Sequence, residues 1–259
     1  MIMKEITSIH NAAIQSLRAL EKPKARREAG LFLIEGRKMA AEALAAGLLR
    51  TLIVERGREE DYEELIASAE TSGDCVLVSA QVMQTLSNAK TPQGVMCAAR
   101  IPDQPERLEG GLLCALDAVQ DPGNLGTILR TLDAAGFCGV LLGEGCADPY
   151  GPKALRATMG SIFRVPIRQT SLPDELEALR RSGYAIAATE LGGEDFFEAC
   201  PPAPAVLVIG NEGNGISDAV RAQATHHLAL PMRGGAESLN AAVAAGIMIY
   251  EMARRPKGV

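Results

Sequence analysis

The feature that most constrains this chain lies near its C-terminus. Between Leu239 and Ile249 the only polar side chain is Asn240, and Ala241, Ala242, Ala244, Ala245 and Gly246 keep the girth of the segment small. Such a run reads as a helix that is apolar all round and therefore buried on most sides. It is also narrow enough for other backbones, a partner subunit's included, to come close. The helix is entered from the glycine-bearing loop Pro231–Glu237 through Ser238, which the pattern predicts as N-cap. A Ser-Leu-Asn step at the mouth of a buried helix leaves hydrogen-bonding groups where they are costly unless something docks there. The plain alternative is a capping serine and a satisfied core asparagine.

A chain of 259 residues has room for one large domain or two small ones. Its 47% hydrophobic content and lack of low-complexity runs describe an ordinary soluble globular protein. Met1–Ile6 lacks the apolar core of a signal peptide, and no run approaches about 18 apolar residues, so a cytoplasmic protein with no membrane partner is expected. The cysteines, Cys75, Cys97, Cys114, Cys138, Cys146 and Cys200, are scattered, with no C-x-x-C pair and no histidine at zinc-ligand spacing. They read as small core residues in a reducing compartment, and no metal site is expected. The net charge of −6 argues mildly against a nucleic-acid partner. From Arg18 to Lys38, however, seven basic residues face three acidic ones, a local +4. Lys24, Arg26, Arg27 and Arg37 are the candidate RNA contacts there; the competing reading is a solvated helix face.

Along the chain, residues 8–20 read as a helix, Lys22–Arg27 as a basic turn, and Leu31–Glu35 as a short strand. Gly36 opens a helix to about Ala46. Strand Thr51–Val54, an acidic helix Glu59–Glu70, strand Cys75–Val78, a helix after Ser79 and strand Gly94–Ala98 complete a first α/β unit, residues 1–100. Residues 101–108, with two prolines and little to bury, read as a linker. The unit 109–259 begins with strand Leu112–Leu116 and a loop entering a helix that ends at Gly136. It continues with strand Gly139–Leu142, helix Pro152–Met159, strand Val165–Arg168, helix Pro173–Ser182 and strand Tyr184–Ala187. Strand Ala205–Ile209, loop Gly210–Ser217, a helix to about Gln223, strand His227–Leu230 and the closing helix complete it. Near-continuous apolar strands alternating with helices predict a parallel sheet covered on both faces.

Ligands of open α/β sheets sit beyond the carboxyl ends of the strands. Three loops leave such ends: those carrying Asn124 and Arg130, Gly210–Ser217, and Met232–Glu237. The glycines of Gly210-Asn-Glu-Gly-Asn-Gly215 do not have dinucleotide-fold spacing, and turn-making explains them as well as ligand contact does. No nucleotide-cradling G-x-x-x-x-G-K-[ST] is present. None of the loops holds a histidine, which weakens a serine hydrolase reading of Ser238. What they supply is Arg130, Glu212, and the amides and hydroxyl of Asn124, Asn211, Ser238 and Asn240, a set suited to orienting a polyanion and a hydroxyl nucleophile.

Together, Asp121–Phe137, Val208–Ser217 and Leu230–Ile247 resemble the three motifs of the SpoU/TrmH family of RNA ribose 2′-O-methyltransferases in the SPOUT superfamily. The match covers roughly residues 109–255. The first unit, through Glu35-Gly36-Arg37 and Gln93-Gly94-Val95, resembles the RNA substrate-binding domain, similar to an RNA-binding ribosomal protein, that many members carry. The resemblance implies a C-terminal α/β-knot fold, a parallel sheet whose C-terminal segment threads a loop as a deep trefoil knot, which periodicity alone would not suggest. It implies S-adenosylmethionine held by Gly210, Asn211, Gly213, Leu230, Met232, Ser238 and Leu239, with no metal. It implies catalytic roles for Arg130, Asn124, Glu212, Ser238 and Asn240, with Asn124 orienting the arginine or the ribose. The partners implied are structured RNA, ribosomal rather than transfer RNA on account of the first unit, and a second copy of the chain packed through the final helix and the first-motif helix. Where many relatives have Val-Ser after Ser-Leu-Asn, this chain has Ala241-Ala242. Other readings are a transfer-RNA methyltransferase, a non-catalytic RNA-binding or ribosome-assembly factor on the same fold, and a Rossmann oxidoreductase, whose fingerprint is missing.

Overall fold

The structure, a computed structural model, describes residues 4–255. Met1–Met3, part of the segment read for a leader, and residues 256–259 at the end of the second expected domain lie outside the described residues. The chain divides into two compact units, Met1–Asp103 with Tyr150–Leu155, and Gln104–Pro149 with Arg156–Val259. The short segment Tyr150–Leu155, expected in the C-terminal domain, thus groups with the first unit, where the Tyr150 ring lies 5.0 Å from that of Phe32.

The first unit runs β1 (Lys4–Ile6), α1 (Ala12–Ala19), α2 (Pro23–Ala29), β2 (Leu31–Glu35), α3 (Arg37–Ala45), β3 (Leu49–Glu55), α4 (Glu63–Ser72), β4 (Asp74–Val78), α5 (Ala80–Leu86) and β5 (Val95–Arg100). Its sheet has the order β1-β4-β3-β5-β2, parallel from β1 to β3, with β5 antiparallel to both β3 and β2. Ile14, Ile53, Val82, Met83 and Leu86 belong to its apolar core. Two expectations change here. The helix expected from residue 8 starts at Ala12, because the Asn11 side chain caps it by accepting the N–H of Ala13 at 2.9 Å. The expected basic turn Lys22–Arg27 is instead helix α2. Pro23 stands at its first position, where a missing N–H costs nothing, and Gly30 ends it at φ 63°.

That helix also overturns one RNA-contact assignment. Arg26 is only 3% exposed, and its Nη1 donates to the carbonyls of Leu20 (2.6 Å) and Glu21 (2.9 Å), stitching the end of α1 to α2. A guanidinium committed in this way is unavailable to a phosphate. Lys24, Arg27 and Arg37 are exposed; Lys24 pairs with Glu28 at 3.8 Å and Arg37 with Glu64 at 3.3 Å, solvated pairs of small worth.

The second unit runs β6 (Leu112–Leu116), α6 (Pro122–Ala135), β7 (Gly139–Leu142), α7 (Pro152–Thr158), β8 (Ile167–Gln169), α8 (Leu172–Arg181), β9 (Ala185–Asp195), α9 (Phe196–Ala199), β10 (Ala205–Ile209), α10 (Asp218–Arg221), β11 (His226–Ala229) and α11 (Ala241–Arg254). The sheet is parallel throughout, in the order β11-β9-β10-β6-β7-β8. Every residue of β7 and β10 is buried, as strands covered on both faces require. One face packs on α8 and α10 through Leu176, Leu179, Val206, Val208 and Val220; α11 packs on α6 and β10.

Strand β9 is longer than expected and is interrupted. His227 of β11 pairs with Ala188, but the next residue, Leu228, pairs with Glu194, so Thr189–Gly193 leave the ladder as a five-residue excursion. Gly193 is needed there, since an added Cβ would meet the His227 carbonyl oxygen at 2.6 Å. The closing helix also departs from expectation. It begins at Ala241, and its cap is Asn240 rather than Ser238: Asn240 Oδ1 accepts the N–H groups of Ala242 (2.9 Å) and Val243 (3.2 Å). One side of α11 is left uncovered in the single chain, with Val243 52%, Ile247 40% and Tyr250 53% exposed at i, i+4 and i+7.

Arg26→Ala is expected to destabilise the protein by about 2 kcal/mol, because it leaves two inward-facing carbonyls without a donor. Lys24→Ala and Arg27→Ala are expected to stay within about 0.5 kcal/mol of wild type. Urea midpoints of the three variants check this, and equal midpoints would return Arg26 to the surface.

Candidate active site

The strands β6, β10 and β11 end side by side or one strand removed, so the loops that follow them meet at one edge of the sheet. The first loop runs from Asp117 into α6, which Asp121 caps through Oδ1 to the Asn124 N–H (2.8 Å), with Pro122 at the first helical position. The second is Gly210–Ser217. It is closed on itself by two 2.9 Å backbone bonds between Asn211 and Gly215 and by the N–H groups of Gly213 and Asn214 donating to Asn211 Oδ1. A Cβ at Gly210 would fall 2.3 Å from the carbonyl carbon of Gly215, so the loop can be this tight only with glycine there. The third runs from Leu230 to Asn240.

Side chains tie the three together. Asp117 Oδ2 accepts the Ser217 N–H at 2.7 Å, and Asn211 Nδ2 donates to the Ala118 carbonyl at 2.8 Å. The Glu212 carboxylate accepts the N–H groups of Gln120 and Asp121, each at 3.2 Å, and the Asn124 Nδ2 amide at 2.9 Å. The other end of that amide, Asn124 Oδ1, accepts from Asn240 Nδ2 at 3.0 Å. Partial burial alone would push the Glu212 carboxyl up; the hydrogen bonds from Asn124, Gln120 and Asp121 outweigh it and hold the group below its ordinary value.

Beside this network lies a cavity of about 410 Å³, inside the roughly 300–1,000 Å³ range of small-ligand clefts. Its lining includes every residue expected to hold the cofactor: Gly210, Asn211 and Gly213 from the second loop, Leu230 and Met232 from the third, and Ser238 and Leu239 at its end. Glu212 and Asn240 line it as well. Ser238 makes no hydrogen bond to the described residues, so its hydroxyl is free for a ligand. Thr189, Glu190 and Leu191 of the β9 excursion form part of the wall. Sequence reading ended that strand at Ala187 and missed them; the only signal was Gly192-Gly193 after an apolar run, a mark of a bulge.

Of the expected catalytic residues, Asn124, Glu212, Ser238 and Asn240 are therefore brought together, and Arg130 is not. Arg130 is exposed on α6 and makes no hydrogen bond or ion pair with the described residues. It stands six residues beyond Asn124, roughly 9 Å along the helix and about 120° round it. Asn124, expected to orient this arginine or the ribose, makes no hydrogen bond to Arg130; its amide bonds Glu212 and Asn240 instead. Among the described residues no group of three or more His, Cys, Asp or Glu is placed to hold a metal ion.

Because the Glu212 carboxyl is held below the ordinary glutamate value of 4.5, its contribution to stability is present above that pH and is lost as pH falls through the depressed folded-state value. The stability difference between wild type and Glu212→Gln should accordingly stay constant from pH 7 to about 5 and shrink in more acidic solution. Thermal unfolding across that range measures it. A difference that grew on acidification would mean the carboxylate is not the form the loops hold.

Residues 111–250 match the SpoU rRNA methylase family, and residues 11–97 match the MRM3-like substrate binding domain. The chain is 34% identical over 252 residues to the 23S rRNA (guanosine(2553)-2′-O)-methyltransferase RlmP of Bacillus subtilis, covering 96% of this chain and 99% of that protein. It is 33% identical to the 23S rRNA (uridine(2479)-2′-O)-methyltransferase of Streptomyces viridochromogenes, over 97% of this chain and 92% of that one. Its fold is similar to that of an AdoMet-bound rRNA methyltransferase from Sinorhizobium meliloti, with a TM-score of 0.88 and 35% identity over 97% of this chain and 98% of that one. With a family match over more than half of its length and a relative 34% identical along nearly all of it, the chain belongs to the SpoU rRNA methylase family.

Proposed function

We propose that this protein transfers a methyl group from S-adenosylmethionine to a ribose 2′-hydroxyl of ribosomal RNA. The observation that carries the reading is the junction of Asn124, Glu212 and Asn240 beside a cavity lined by the free hydroxyl of Ser238. The cavity suits the cofactor. Leu228, Leu230, Met232 and Leu239 offer an apolar wall to a purine, the loop turns offer backbone groups, and the charged side chains in the lining are the carboxylates of Glu190 and Glu212, matched to a ligand of net positive charge. S-adenosylmethionine would supply a methyl on a sulfonium sulfur, open to displacement by an oxygen nucleophile.

The chain's own residues do the rest. Glu212 and Asn124 fix the loops that form the cavity, Asn240 joins them to α11, and Ser238 presents a hydroxyl to cofactor or substrate. A guanidinium keeps its proton at cellular pH, so Arg130 acts as a charge rather than a base. Exposed on α6 outside the cavity lining, it is proposed to grip a phosphate of the bound RNA and so to position the ribose. The RNA itself is proposed to lie along Lys24, Arg27 and Arg37 of the first unit, without Arg26. That both relatives described above carry 23S rRNA in their names supports ribosomal over transfer RNA as substrate.

Three further features complete the reading. The C-terminal segment from β11 into α11 is proposed to thread a loop of the sheet as a trefoil knot. The uncovered stripe Val243, Ile247, Tyr250 on α11 is proposed to be closed by a second copy of the chain; an added Cβ at Gly246 would meet only an ordinary 3.9 Å contact to Thr131, so packing within one chain leaves room there. The protein is proposed to work in the cytoplasm, in keeping with six cysteines that are all free and with the absence, among the described residues, of any helix long and apolar enough to cross a membrane.

Arg130→Ala is expected to lower tritiated methyl transfer to ribosomal RNA by at least about a hundredfold while leaving S-adenosylmethionine affinity unchanged. Wild-type turnover in that variant, or no transfer by wild type to any RNA, would end the enzymatic reading. Lys24→Glu with Arg27→Glu is expected to weaken RNA binding and to reduce its log–log salt slope by about two, with cofactor affinity intact. An unchanged slope would take this face out of the RNA site.

A further inference from the structure

Outside the three motif loops, one charged group lines the cavity: Glu190, carried there by the Thr189–Gly193 excursion of β9. Its carboxylate is held on both oxygens. Arg221 Nε donates to Oε2 at 2.7 Å, and His227 Nδ1 lies 2.8 Å from Oε1. Arg221 is itself steadied from outside by Asp218 at 2.9 Å, on α10. The excursion that delivers Glu190 depends on Gly193, where a side chain would strike the backbone of β11. A carboxylate aimed by two partners from two other elements, on a bulge that only glycine permits, is a built feature of the wall.

We propose that Glu190 sets the charge preference of this pocket and so favours the methyl donor over the spent product. The inference rests on the cavity being the S-adenosylmethionine site. The donor carries a sulfonium and an ammonium against one carboxylate, a net charge of +1; after transfer the sulfur is neutral and the product's net charge is zero. Everything else about the two ligands is nearly the same in size and hydrogen bonding. A carboxylate near the pocket therefore acts on the difference between them: it attracts the donor and exerts no net pull on the product. A purely scaffolding role for Glu190 would affect both ligands alike.

The test is calorimetric titration of the full-length protein with S-adenosylmethionine and with S-adenosylhomocysteine. In Glu190→Gln the donor is expected to bind about fivefold more weakly, the effect of one unit charge at several ångströms in a partly hydrated cleft, while product affinity stays the same. Glu190→Asp, which keeps the charge, should restore the wild-type ratio. Arg221→Gln removes the opposing cation and should move the ratio the other way, a check that holds even if Glu190→Gln does not fold. Asp174→Asn, exposed on α8 and outside both the lining and the Glu190 pairs, should leave the ratio alone. If both ligands weaken equally in Glu190→Gln, or if Arg221→Gln leaves the ratio where it was, the inference is overturned and the cofactor reading stands. If wild type binds neither ligand, it is the cofactor reading that fails.

Discussion

One side-chain amide holds this site together. Asn124 gives its nitrogen to Glu212 and takes a hydrogen bond on its oxygen from Asn240, so a single residue of the first loop is bonded to the second and the third. Only an amide can do this, because it alone offers a donor and an acceptor in fixed opposition at the tip of a short side chain. Aspartate would face the Glu212 carboxylate with like charge, and leucine would leave both neighbours unpaired. The consequence reaches beyond the loops. Asn240 spends its other atom capping α11, so the start of the long C-terminal helix is fixed by the bond that closes the cavity. Helix position and pocket shape are therefore one structural fact.

The same network explains where the acidic charge of the chain goes. Glu212 is held below the ordinary carboxylate range because the Asn124 amide and two backbone N–H groups outweigh the desolvation it suffers. Asp117 accepts the Ser217 N–H in a similar way. These carboxylates satisfy backbone donors of the loop turns just ahead of α6 and α10, while Asp121 caps the first turn of α6 itself. The cavity lining that results holds carboxylates and no cation, which suits a positively charged cofactor and would repel a phosphate. The cations proposed to grip RNA lie elsewhere: Arg130 is outside the lining on α6, and Lys24, Arg27 and Arg37 are exposed in the other unit. A net charge of −6 and a polyanionic substrate are compatible once the two signs are kept on different surfaces.

Much of this was legible in the residues alone, for reasons that differ by element. The central strands β6, β7 and β10 stand out because strands buried on both faces are apolar without a break. The three loops stand out because glycine and asparagine are forced where the chain turns tightly, as the clash at Gly210 makes concrete. What was misread is equally physical. Pro23 looked like a turn and is a helix start, since the sequence does not say which side of a proline the helix lies on. Strand β1 is three residues long with one buried, too short to show a period. Ser238 and Asn240 are both good caps two residues apart; the choice between them is made by Asn124, more than a hundred residues away, and no local rule can see it. Arg26 counted as surface charge because helix α2 was not recognised, so its inward face was not either.

The β9 excursion shows the limit most clearly. A strand that breaks its ladder for five residues and then rejoins it pairs worse than a continuous one, so the fold gives up hydrogen bonds to keep it. Such a loss is tolerated where the released residues do something the ladder cannot. Here they reach the cavity wall, bring a carboxylate that Arg221 and His227 hold, and leave Leu191 80% exposed at the tip, a large apolar residue with nothing over it in the isolated chain. An exposed leucine on the lip of a cavity is unfavourable in water and becomes favourable when a ligand with an apolar face covers it. The same reasoning applies to Met232 and Leu239 on the opposite lip. Cofactor binding is coupled to stability by mass action in any case, because a ligand that binds the folded pocket and not the unfolded chain favours the fold.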